Sequence, residues 1–510
     1  MASHVTLESD AADLLAAVRR VRAVVIERSA GLLAGWSAAL DRPAFAAGAT
    51  NLAHYLALRS QDLSALQPRL AALGLSSLGR SESRVLESLD AVAATLARLA
   101  GADGPPHPDR AAFGAGAAAL AREQAAVFGP DGRGRLTRIL VTLPARAAED
   151  APFVADLVAA GADCVRINCA HDSAATWAAM IANVRAATAA GAGACRVLMD
   201  LGGPKCRIVE IAAPGTTRLL RGDVFALVDR MPRTAPRRIT VRSNVDDLVS
   251  RLRPGLPLYV DDGRIGASIE EVSADRALIR VETVRSKGLK LRVDKGFNIP
   301  GLDLGQPAIT DKDLIDLDFV AGHADIVGCS FAQHPADVAL MQRELTLRRG
   351  DRPPQPLVLK IETPLAVRNL PELIAQGAGR QPLAVMIARG DLAVELGFGR
   401  IGEVQEQILW LCEAAHVPVV WATQVLAGLV AEGAPSRAEA TDAAMAQRAE
   451  CVMLNKGPYL VEAVRFLDDL LRRMDRHQHK KTPQLAALDA WSALWPPARA
   501  GGSDREATDA

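Results

Sequence analysis

The chain has no surplus of charge of either sign: 59 Lys plus Arg balance 59 Asp plus Glu. That balance gives no footprint for nucleic acid or an anionic membrane surface. The basic piece HQHKK (477–481) is too short to change this and reads as a solvated helix end. No apolar run approaches the roughly 20 residues of a membrane span. The N-terminus, MASHVTLESD, has no basic segment leading into an apolar one, so a signal peptide is not expected. The seven cysteines include no C-x-x-C pair, and the nine histidines show no metal-ligand spacing. Such a cysteine set fits reduced thiols in the cytoplasm, with Cys412 and Cys451 in apolar runs as core residues.

What is present is ordinary globular composition, 49% apolar and 23% charged, in 510 residues. That length supports more than one domain. Residues 1–128 read as an all-helical domain. Leu14, Leu15, Val18, Val21 and Val25 recur at helical spacing, and 51–73 and 83–99 have similar character. DGPPHPDR (103–110) and FGPDGRGR (128–135) are breaks, and the second marks the domain boundary.

Beyond it the pattern changes to short apolar runs, most followed by a helical stretch. These are RILVTL (138–143), ADCVRIN (162–168), RVLMDL (196–201), ADIVGCS (324–330), PLVLKIE (356–362), LAVMIAR (383–389), VPVVWAT (417–423) and ECVMLNK (450–456). Parallel strands need crossovers, so eight strand–helix units predict a TIM (β/α)8 barrel. Residues 205–295 are too long for a crossover and alternate in strand fashion, which predicts a small inserted β-barrel lid domain after the third strand. The barrel is thus expected over 129–204 and 296–475, with a polar tail at 476–510.

Barrel sites lie at the C-terminal ends of strands. Lys360 and Glu362 alternate around Ile361, so both can point into the mouth, and Asp391 follows the sixth strand. Two carboxylates from neighbouring strands suit a hard cation, Mg²⁺ or Mn²⁺. A lysine beside them can neutralise a phosphoryl group. Gly390 opens a helix whose free N–H groups can hold a carboxylate. Taken alone, Lys360 and Glu362 also fit a salt bridge closing the mouth. Other strand ends carry Arg166, Asn168, His171, Asp200, Thr423 and Gln424, more polar side chains than a barrel without a task would need.

These motifs resemble the pyruvate kinase family. The resemblance rests on RINCAH (166–171), LKIE (359–362), MIARGDLAVEL (386–396), WATQVL (421–426), PSRAEATD (435–442), KGFNIPG (295–301), VDDG (260–263) and PAITDKD (307–313), in the family's order over roughly 136–475. It implies phosphoryl transfer between phosphoenolpyruvate and ADP, giving pyruvate and ATP. By similarity Glu362 and Asp391 would bind the divalent cation. Lys360 and Arg166 would meet the phosphoryl group, Gly390 and Asp391 the substrate carboxylate, and Thr423 the enolate. Asn168, His171, Arg207, Asp262 and Lys295 would serve the nucleotide side. Considered singly, His171 also reads as a satisfied polar residue, Asp262 as a hairpin turn and Lys295 as a solvated lysine.

The sequence departs from the family at several points. TLPA lacks a glycine before its proline, and the loop in MLNKGPYLVEAV is shortened. SFAQ (330–333) lacks an arginine, and Gly202 stands for a lysine. Ala170 and Leu201 replace hydroxyl residues near the family's K⁺ site, while Asn168 and Asp200 remain. Lys205 stands where K⁺-dependent members carry glutamate. Its ammonium is therefore expected to replace the monovalent ion, making K⁺ unnecessary; a solvent-facing hinge lysine is the alternative. A C-terminal regulatory domain is not expected, and the helical N-terminal domain reads as packing or a homo-oligomer contact. Two other readings stay open: a metal-dependent lyase or aldolase acting on a pyruvate enolate, and a non-catalytic binding paralogue.

Overall fold

A computed structural model of the chain describes residues 7–130, 133–302 and 304–483. Five helices come first: α1 (Leu7–Trp36), α2 (Ala46–Arg59), α3 (Leu66–Ala72), α4 (Val85–Leu99) and α5 (Arg110–Phe128). Leu14, Leu15, Val18, Val21 and Val25 form the buried stripe of α1, as their spacing predicts. Asn51 of α2 ties this layer to the barrel. Its amide donates to the carbonyls of Glu82 (2.7 Å) and Ala414 (2.8 Å), while its oxygen accepts from the Val85 N–H.

Helix α5 has a more intimate role. Asp109 caps its start by accepting from the Ala112 N–H. At its end Val127 and Phe128 share a buried cluster with Leu140, Cys164, Leu198, Val358, Met386 and Val420. These residues fill the barrel interior, so the helix terminus plugs the floor. Arg196 donates from Nη1 to the Val127 carbonyl (2.8 Å), placing positive charge at the helix C-terminus.

The barrel is closed and all-parallel, formed by eight strands. They are β1 (Arg138–Thr142), β2 (Cys164–Asn168), β3 (Arg196–Asp200), β4 (Ile326–Cys329), β5 (Leu357–Ile361), β6 (Leu383–Ala388), β7 (Val419–Val425) and β8 (Cys451–Leu454). Each coincides with one expected run. Side chains alternate between the interior and the helix layer. Leu140, Cys164, Leu198, Val358 and Met386 face inward, while Ile139, Val165, Val197, Leu359 and Ile387 pack outward. Continuing the inward parity by two or four residues reaches Thr142, Arg166, Asn168, Asp200, Lys360 and Glu362. The polar layer is thus the top storey of the same stack.

After β3 the chain leaves for the inserted domain. Its seven-stranded sheet is mostly antiparallel, and its own core includes Phe225, Leu227, Leu258, Ile265, Ile269 and Ile279. The chain returns through Phe297–Asn298 to helix Asp311–His323, which starts with a capping box between Thr310 and Asp313. Asp313 also accepts from the Gly202 N–H (3.0 Å), pinning the exit from β3.

The tail is described only to residue 483; its remainder and residues 1–6 lie outside the described residues. Gln478–His479 and Thr482–Pro483 pair as a small hairpin, so HQHKK is not the solvated helix end its composition suggested. Lys480 pairs with buried Glu450, and Lys481 with buried Glu82. Buried carboxylates need partners, and these lysines supply them. No helix among the described residues is long and apolar enough to cross a membrane.

Candidate active site

At the C-terminal mouth of the barrel lies a cavity of 410 Å³. Arg166, Asn168, His171, Lys360, Glu362, Gly390, Asp391 and Thr423 all line it, with Lys205 and Asp262 contributed from the inserted domain's side. Eight barrel positions separated by as many as 257 residues in sequence thus meet in one space, as 423 less 166 shows.

Its floor is an ionic cluster. Asp200 is fully buried and accepts from Arg166 at 2.5 and 2.7 Å. Lys360 Nζ sits 3.4 Å from Asp200, 3.3 Å from Glu362 and 2.7 Å from the Ser330 hydroxyl. Glu362, only 2% exposed, accepts a 2.7 Å hydrogen bond from the Phe331 N–H. Burial pushes the Glu362 carboxyl above its ordinary value, with Lys360 pulling it back. Burial opposes charge on Lys360 as well, but Asp200 and Glu362 outweigh it, and the ammonium is held above the usual lysine range. For Asp200, Lys360 and Arg166 overcome burial and hold the carboxyl low. Gly328 makes room for this arrangement: a Cβ there would lie 2.6 Å from Asp200 Oδ1.

The wall opposite is built by β6 and β7. Helix Arg389–Leu396 starts at the β6 exit and presents Gly390 and Asp391. The Gly390 N–H donates to Thr423 Oγ1 (2.7 Å). Thr423 and Gln424 both have positive φ, +65° and +57°, where the β7 register shifts. This departure from regular strand turns Thr423 toward Gly390. Arg389 turns away, donating to the Thr423 carbonyl and pairing with Asp442.

Lys205 Nζ is 2.7 Å from Asp391 and 3.6 Å from Asp262. Asp391 and Asp262 overcome the effect of burial, and its charge is held above the ordinary lysine range. Among the described residues no hydrogen bond or ion pair joins it to Asn168 or Asp200, the remaining residues of the family's K⁺ region, which its ammonium was expected to serve; Asp200 is served by Arg166 and Lys360 instead. Asp262 belongs to the β-hairpin turn that its sequence suggests, with φ of +54°, and still lines the cavity. Burial, then Lys456 and Arg207, depress the His171 pKa.

Three expected residues do not line this cavity: Asp200, which is fully buried in the ionic cluster beneath it, Arg207 and Lys295. Arg207 donates to the Asp294 carbonyl (2.9 Å), and Lys295 pairs with Asp261 (2.6 Å). Conversely, Ser330, Thr142, Asn455 and Lys456 belong to the site though sequence reasoning passed over them. Ser330 was within reach: it lies two residues beyond Gly328, on the inward parity.

Residues 134–464 match the model of the pyruvate kinase barrel domain. The chain is 34% identical over 372 residues to a pyruvate kinase of Agrobacterium vitis, covering 71% of this chain and 73% of that one. A pyruvate kinase of Methylorubrum extorquens is 32% identical over 378 residues, covering 71% and 75%. One of Mycobacterium intracellulare is 33% identical over 351 residues, covering 66% and 70%. The chain belongs to the pyruvate kinase family. The matched pyruvate kinase segment contains the whole cavity and the inserted domain, and it begins after α5. The five N-terminal helices therefore lie outside the matched domain.

Glu362 and Asp391 offer oxygen donors of the kind hard divalent cations take. Among the described residues no group of three or more His, Cys, Asp or Glu forms a metal cluster.

Proposed function

We propose that the protein transfers the phosphoryl group of phosphoenolpyruvate to ADP, giving pyruvate and ATP in the cytoplasm. The observation that carries this reading is the convergence of Lys360, Glu362, Asp391, Arg166 and Thr423 on one cavity bordered by the inserted domain. A bound Mg²⁺ or Mn²⁺, held by Glu362 and Asp391, would supply charge neutralisation for the phosphoryl oxygens.

The side chains around it do the positioning. Lys360 and Arg166 bring two cations to the phosphoryl group, where fixed charges act without reorganising during transfer. Gly390 and Asp391, at the N-terminus of an eight-residue helix, hold the substrate carboxylate. Thr423 stands beside the enolate, its hydroxyl oriented by the Gly390 N–H. Asn168, His171 and Asp262 serve the nucleotide from the cavity; Arg207 and Lys295 approach it from the base of the inserted domain, which acts as a lid.

Charge balance supports this division of work. Asp200, Glu362 and Asp391 face Arg166, Lys205 and Lys360, three acids against three bases. A divalent cation entering with a polyanionic phosphate keeps that balance. Lys205 provides a fixed positive charge at Asp391, and we assign to it the job that K⁺ does in K⁺-dependent members.

A coupled assay of the purified protein with Mg²⁺, ADP and phosphoenolpyruvate tests the proposal. Pyruvate formation without added K⁺ is expected. No pyruvate under any divalent metal would remove it.

A further inference from the structure

The inserted domain gathers a second concentration of charge away from the catalytic cavity. Arg218, Arg264, Arg285, Lys290, Arg292 and Lys295 line a pocket of 230 Å³, with Asp261 the sole acid in its lining. Asp261 is already engaged, accepting from Lys295 (2.6 Å) and lying 3.5 Å from Arg264. Neither the Lys290 nor the Arg292 side chain has an ion-pair or hydrogen-bond partner among the described residues.

The cations are placed by the backbone. Strands Arg218–Leu219 and Leu289–Lys290 pair antiparallel, and Arg218 stands directly opposite Lys290. Like charges in that relation are destabilising unless something negative lies between them. The turn joining to the second strand holds its own arginine: Gly288 N–H donates to the Arg285 carbonyl (2.8 Å), and Arg285 Nε donates to the Gly288 carbonyl (2.9 Å). Arg218 Nη1 donates to the carbonyls of Lys287 (2.7 Å) and Gly288 (3.2 Å). Only glycine suits this turn, since its φ is +65° and a Cβ would meet the Leu219 carbonyl at 2.5 Å. Arg218 and Arg285 are therefore fixed by carbonyls that do not neutralise them.

We propose that this pocket binds a compact polyphosphate, with Arg218, Arg285, Lys290 and Arg292 as its charged wall. Guanidinium forks match phosphate oxygens two at a time, and several negative charges are needed to answer this many cations. The ligand would bridge the two short strands and relieve the Arg218–Lys290 repulsion. The pocket shares no lining residue with the catalytic cavity, since at the hairpin turn Asp262 lines one and Asp261 the other, and Lys295, assigned above to the nucleotide side, stands at its edge outside the charged wall. The assignment does not rest on the phosphoryl-transfer reading.

Titration calorimetry of the full chain with inorganic tripolyphosphate, in EDTA so that no metal intervenes, tests it. Saturable binding that weakens with added salt is expected. Lys290→Glu should lower the affinity about tenfold or more. It should also raise the domain's thermal stability without ligand, because it turns a repulsive cross-strand pair into an attractive one. Arg218→Gln provides a second variant with the same expected loss of binding. Lys456→Met, at the catalytic cavity, should leave tripolyphosphate affinity unchanged. Absence of saturable binding in the wild type overturns the proposal. So does the reverse pattern, in which Lys456→Met abolishes binding and Lys290→Glu does not, which would assign the anion to the nucleotide's cavity.

Discussion

Lys205 Nζ meets Asp391 Oδ1 at 2.7 Å, so a cation at the base of the inserted domain is paired with the carboxylate that follows β6. The bond links the hinge to a residue proposed to hold the divalent cation. In Lys205→Met, Asp391 and Glu362 lose a fixed neutralising charge. Activity without K⁺ should fall about 10²-fold, and added K⁺ should restore part of it. Initial rates with and without K⁺ check this. A wild type that depends strongly on K⁺ would contradict the role given to Lys205.

Phe128 is the plug of the barrel floor. It is 2% exposed and packs with inward residues of several strands. Phe128→Ala should cost about 3–5 kcal/mol, through lost burial and the cavity left behind. Denaturant unfolding should show it. The same variant should loosen the N-terminal helices, detectable as faster amide exchange in α5.

How much of this was written in the sequence varies with the physics involved. The eight strands were legible because each is a short apolar run closed by polar residues, and all eight came out near the expected positions. Lys360, Glu362 and Asp391 were legible because strand parity and barrel geometry dictate where their side chains point. The partner of Lys205 was not, since it depends on how the inserted domain settles against the barrel. Nor was the work of α5: its sequence, rich in alanine, gives little sign that its last turns, with Gln124 bonded to the Glu450 carbonyl and Val127 and Phe128 in the interior, close the barrel floor. The terminal hairpin was hidden for a similar reason. HQHKK reads as solvated until the buried carboxylates that it reaches, Glu82 and Glu450, are known.

Those carboxylates have a third companion. Burial pushes the Glu413 carboxyl up to about 7; Glu82 and Glu450 add to the rise, while Lys480 and Lys481 oppose it. The folded state holds this proton more tightly than the unfolded chain, whose carboxyl titrates near 4.5. Stability from this group is therefore lost as pH rises from about 4.5 through about 7. Glu413→Gln should remove that loss. Urea unfolding should find the variant little changed at acid pH and more stable than wild type at alkaline pH, by up to about 3 kcal/mol.

The central claim is that Lys360 meets the phosphoryl group in a cavity where Glu362 and Asp391 hold a divalent cation. Phosphorus NMR of phosphoenolpyruvate, ADP and Mg²⁺ with the wild type and Lys360→Met, side by side, tests it most directly. The wild type should convert the phosphoenolpyruvate resonance into those of ATP, and a folded Lys360→Met should not. Equal conversion by both proteins would contradict the account.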